Sequence, residues 1–129
     1  MRDTYSFSSA IGTYTGITGG TLHGSGTGID DNNYNAINIG FTFKYNNIDY
    51  TQLGINANGF VRLGSTAFSG SCGYTPISST TAGCENLISA HAEDQRSTAT
   101  SELRSELLGS SPNQVFVIQW KDFTHYGST

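Results

Sequence analysis

From Ile37 to Tyr45 every second residue is apolar or aromatic: Ile37, Ile39, Phe41, Phe43 and Tyr45, with Asn38, Gly40, Thr42 and Lys44 between them. This two-residue period predicts a strand with one buried face. Asn46-Asn47 follows, a pair that tolerates the positive φ a tight hairpin demands. Ile48, Tyr50, Leu53 and Ile55 carry the chain back, Asn58-Gly59 supplies a second hairpin signal, and Phe60, Val61 and Leu63 lead away. A three-strand meander is thus predicted over 35–65.

Further along, the pattern is less regular. Asn86 to Ala90 reads as a short apolar strand, and 91–100 is polar enough for a loop or a short helix. In 101–108, Leu103 and Leu107 fit either an i,i+4 helical stripe or alternate strand positions. The turn residues of 109–113 and the strongly β-branched and aromatic run Gln114 to Trp120 favour a hairpin, and hence a strand over 101–108. Val115 and Val117 face one way, and Phe116, Ile118 and Trp120 the other. With both faces apolar, this run predicts a central strand between two layers. In the amino-terminal third Tyr5 and Phe7 alternate with small polar residues, and Ile11, Tyr14 and Ile17 follow irregularly. Short strands broken by glycine are expected there, with a turn at Gly19-Gly20 and a flexible loop over Gly24–Gly28. Together these elements predict one all-β domain over 1–129, an antiparallel β-sandwich of jelly-roll type.

Composition changes the picture in one respect, the environment. Charged residues make up 12% of the 129 residues, and only two are lysines, Lys44 and Lys121. Aromatic residues at strand spacing argue against disorder, so the solvent faces carry hydroxyls and amides instead of charge. The six basic residues are scattered singly in a chain of net charge −4, which excludes a phosphate-binding stripe and makes nucleic acid an unexpected partner. No apolar run approaches the ~20 residues of a membrane helix, so no membrane insertion is expected. Cys72 and Cys84 lie in a segment rich in Gly, Ser and Thr. They are compatible with two free thiols or with a disulfide pinning a long loop over 64–85. The export-like composition favours the disulfide and an extracellular location.

Candidate chemistry is sparse. Asp31, Asn33 and Asn35 match the first, third and fifth positions of a calcium loop, with Asp30 beside them. Ala36 stands where that loop needs glycine and Thr42 where it needs glutamate, so the competing reading is a polar turn feeding a strand. Tyr74 in the cysteine loop, with His125 and Tyr126, offers rings on which a sugar could stack. No Gly-x-Ser-x-Gly elbow, His-x-x-x-His pair or distinctive carboxylate pair points to catalysis, and no cofactor other than calcium is suggested.

Several motifs carry a resemblance. Tyr5-x-Phe7, Gly19-Gly20-Thr21, Asp30-Asp31 ahead of Ile39-Gly40-Phe41-x-Phe43-x-Tyr45, Asn58-Gly59-Phe60 and Val117-x-Gln119-Trp120-Lys121 resemble a β-sandwich module of secreted, multidomain surface proteins of Bacteroidetes. The resemblance spans nearly the whole chain except 66–100. It implies a non-catalytic structural or adhesive role at the cell surface, in proteins often exported with a carboxyl-terminal sorting domain, which is not found in this sequence. It also implies further strands after Tyr126-Gly127-Ser128. The chain is therefore expected either to be a fragment or to receive a strand from a neighbouring subunit at an open sheet edge. Other domains of the same protein, neighbouring subunits and a glycan are the expected partners. A filament subunit built by strand exchange and a carbohydrate-binding module are the alternative roles.

Overall fold

The computed structural model describes residues 6–66, 68, 72, 82–91 and 93–127. Two antiparallel sheets form the layers of a β-sandwich. One contains β2 (Asn33–Tyr45), β3 (Ile48–Asn56), β4 (Phe60–Leu63) and β5 (Leu87–Ser89) in that spatial order. The other contains β1 (Thr21–Ser25), β7 (Glu102–Leu108) and β8 (Val115–Lys121), with β7 in the middle. A two-stranded ribbon of β6 (Gln95–Arg96) and β9 (Thr124–His125) completes the fold. No α-helix occurs among the described residues.

The predicted meander is β2, β3 and β4. Asn46 and Asn47 both take positive φ, 48° and 61°, and Tyr45 pairs with Ile48 across them. That is the left-handed two-residue turn whose twist matches its strands. The second hairpin pairs Asn56 with Phe60, so its loop has three residues, and Gly59 at φ 82° takes the left-handed position.

Ile39, Leu53, Ile55, Val61, Leu63 and Leu103 are buried between the layers, with Phe116, Ile118 and Trp120 packed against them. Trp120 Nε1 donates to the Asn56 carbonyl at 3.0 Å, tying β8 to the end of β3. On the outer side of the four-stranded sheet, Phe60, Phe68, Cys72, Cys84 and Leu87 form a second core. The Cys72–Cys84 disulfide closes it, with its Cα atoms 5.4 Å apart. Beside it lies buried Arg62, whose Nη2 donates to Glu85 Oε1 at 2.6 Å, Nη1 to the Thr66 carbonyl and Nε to the Glu85 carbonyl. Hydrogen bonds from its own backbone amide and that of Gly83, with Arg62 adding to them, hold the Glu85 carboxyl below the usual range.

Three expectations are corrected. Residues 6–18 form no strand, and the first strand begins after Gly19-Gly20, with Gly24 inside it. The polar stretch 91–100, expected as a loop or a short helix, is loop and turn among its described residues except where it contributes β6. Most consequentially, β8 is an edge strand among the described residues and not a central one. Among the described residues no second sheet lies on the face it turns outward, and the coil at 14–17 meets Gln119 there. Gln119 accepts from the Tyr14 hydroxyl at 2.7 Å and from the Ile17 amide at 2.8 Å. The apolar run therefore marks neither a hydrogen-bonded neighbour on both sides nor full cover of the outer face, where Val115 is 56% exposed.

Candidate functional site

The β6–β9 ribbon builds the most chemically varied surface of the domain. Pairing Gln95 with His125 and Arg96 with Thr124 brings residues about thirty positions apart in sequence side by side. Ile29 fastens the ribbon to the start of β2: its amide donates to Ser97 Oγ at 2.9 Å and its carbonyl accepts from the Ser97 amide at 2.7 Å. Ser101 Oγ donates to the Asp122 carbonyl at 2.6 Å and accepts from the Thr98 amide, fixing the far end. Buried Asn58 joins the three parts. Its Oδ1 accepts from the Gln95 amide at 2.8 Å, its Nδ2 donates to Asp31 Oδ1 at 3.0 Å, and its amide donates to Asn56 Oδ1.

Between these elements opens a cleft of about 660 Å³, lined by Thr27, Asp30, Arg96, Thr98, Thr124 and Tyr126 among others. Arg96 Cζ lies 5.7 Å from the Tyr126 ring centroid, a cation–π distance that orients the ring at the cleft wall. The Tyr126 amide donates to the Asp94 carbonyl at 2.7 Å, which anchors the turn after β9.

Asp30, Asp31 and Asp94 converge at one end, with a carboxylate oxygen of each within 4.8 Å of the others. Burial first, and then the charges of Asp31 and Asp94, push the Asp30 carboxyl above its usual range, and Arg96 opposes them. Asp30 Oδ1 is buried with no hydrogen-bond donor among the described residues. Folding therefore favours the protonated form of Asp30. That contribution is present in full below the unfolded carboxyl's pKa and is lost as pH rises through the raised folded value. Asp30→Asn is accordingly expected to raise the melting temperature at pH 7. The gain should shrink as pH falls through the carboxylate range. Melts recorded across pH 3 to 8 check it, and a variant less stable than the parent at pH 7 would contradict the charge assignment.

The structure sorts the predicted site residues differently from their sequence pattern. Asp30 and Asp31 come together with Asp94, while Asn33 and Asn35 each lie against a residue of β3. Asn33 Oδ1 accepts from Asn56 Nδ2 at 2.6 Å, and Asn35 Oδ1 lies against Gly54 of β3. Alternation along a strand set those side chains against neighbouring residues of β3, whereas a calcium loop curls its ligands inward. Tyr126 lines the cleft and His125 beside it is exposed in β9. Tyr74 lies outside the described residues. Sequence reading missed Asp94, Arg96, Thr98 and Asn58, because only the β6–β9 pairing brings them to the site. The one signal available was Asn58 in the Asn58-Gly59 turn, where a polar side chain stands among buried residues.

No curated protein and no solved structure matches this chain. A family model described as NIDO related matches residues 4–129, and the chain belongs to this NIDO-related family of extracellular domains.

Proposed function

We propose that this domain is a non-catalytic adhesive module of an extracellular surface protein, and that its cleft between β6–β9 and the start of β2 receives a glycan. The observation that carries the reading is the composition of that cleft. It sets an oriented aromatic ring, Tyr126, beside the hydroxyls of Thr27, Thr98 and Thr124 and the carboxylate of Asp30. A sugar presents an apolar face edged with hydroxyls, and an aromatic ring beside acceptors and donors complements both. The extracellular family and the disulfide agree with a role outside the cell.

Screening against a glycan panel, followed by titration calorimetry on hits, tests the proposal. Tyr126→Ala is expected to weaken binding by about tenfold or more, corresponding to ~1.4 kcal/mol of lost contact. Tyr126→Phe should retain most of the affinity, since the stacking face survives. Silence across the panel, or binding indifferent to Tyr126→Ala, would remove the glycan reading.

A further inference from the structure

The three-stranded sheet does not cover the four-stranded one. Beyond the edge of β8 that pairs with no strand among the described residues lies a groove of about 360 Å³, walled by Phe116 and Ile118 and floored by Phe43, Val61, Leu63 and Ile88. Ile88 is 40% exposed there although it sits opposite Val61 on the inner face of its sheet. A strand hydrogen-bonded to β8, with apolar side chains pointing down, would cover this floor and satisfy the open backbone edge together.

The same molecule presents a segment with that pattern. In residues 5–11, Tyr5, Phe7 and Ile11 fall on one parity, with Ser9 completing the row and Ser6, Ser8 and Ala10 between them. The segment carries no charge, and its seven residues equal the length of β8. Phe7 is 93% and Ile11 106% exposed, and neither belongs to a strand. Two fully exposed large apolar side chains on an uncharged segment call for a partner.

The chain path carries this segment past the β8 edge. Running backward from β1, Gly19 lies against Glu106 of β7, and Gly16 and Ile17 lie against Gln119 of β8. Tyr14 is held on the outer face of β8 by its bond to Gln119, and nothing approaches within 4 Å of a Cβ built at Gly12. Entry into the molecule's own groove would require reversing round the edge within Gly12-Thr13. Residues 6–11 are all exposed, which leaves the segment open to another molecule.

We infer that residues 5–11 of one copy add as a strand to β8 of a second copy and fill its groove. The contact is head-to-tail, because donor and acceptor are different surfaces, so repetition generates a chain of subunits rather than a closed dimer.

The experiment uses the full chain with two single variants. Phe7→Asp disables the donor on an exposed segment, and Ile88→Lys blocks the acceptor at a half-exposed position. Light scattering across a concentration series is expected to show the parent forming oligomers, with each variant alone weakened ~100-fold or more, since a charge would have to enter an apolar groove. Mixing the variants should restore a one-to-one dimer and no larger species, because Ile88→Lys still donates and Phe7→Asp still accepts. Hydrogen exchange should slow at β8 amides on assembly. A parent that stays monomeric at high concentration overturns the inference, whether its β8 amides exchange freely or its own amino-terminal segment protects them. A mixture that fails to pair also overturns it. Circular dichroism matching the parent confirms that each variant is folded.

Discussion

Asn58→Ala is expected to lower the melting temperature by about 12 °C. Asn58 is fully buried, and its side chain makes two bonds to groups far away in sequence, the Gln95 amide and Asp31 Oδ1. Truncation leaves both without that partner and opens a polar hole. The buried Gln95 amide left without a partner costs about 1–3 kcal/mol and the emptied polar site adds to it, whereas exposed Asp31 turns to water, so ~3 kcal/mol in total is a reasonable sum. For a chain of this size, each kcal/mol corresponds to roughly 4 °C. The left-handed residue of this turn is Gly59 and not Asn58, so alanine adds no backbone strain and the effect isolates the hydrogen bonds. The loss should be localised: the Gln95 amide exchanges faster while the β2–β3 ladder holds. A shift under about 2 °C would show that Asn58 does not hold the ribbon in place.

Replacing both cysteines, Cys72→Ala with Cys84→Ala, is expected to cost about as much by a different route. The bridge closes a loop of sequence separation 12, and chain entropy assigns such a loop about 3 kcal/mol. The two sulfurs also sit in the outer core with Phe60 and Phe68, so their loss thins the cover over Phe60 and Arg62. Reduction of the parent with a thiol reagent should reproduce the thermal shift. The cleft lies on another part of the fold, so binding measured below the new melting temperature should be unaltered. A double variant as stable as the parent would mean the loop stays closed without its bridge.

The contrast between these two sites shows what a sequence of this kind makes legible. The strands over 37–45, 48–56 and 60–63 were readable because each is a local repeat bounded by residues that accept positive φ. The Cys72–Cys84 bridge was readable because the chain contains no other cysteine. The ribbon was not. β6 and β9 contribute two residues each, too few for a periodic pattern, and their pairing is decided by Asn58, Ser97 and Ser101. The edge position of β8 was hidden for a related reason. Gln119 interrupts an otherwise apolar run and is nevertheless buried, which in retrospect signals a particular partner on that face. The partner is Tyr14 and Ile17, more than a hundred positions upstream. The acidic trio shares this character, since Asp94 reaches Asp30 and Asp31 only through the fold.

Trp120 is the sole tryptophan, and its indole N–H ends on a carbonyl of the opposite layer. Its emission therefore gauges the distance between the layers without any added label. Parting the layers would release the indole to water and redden its spectrum, even while each sheet kept its own ladder. A fluorescence transition that precedes the circular dichroism transition would thus mark the moment this NIDO-related domain begins to delaminate.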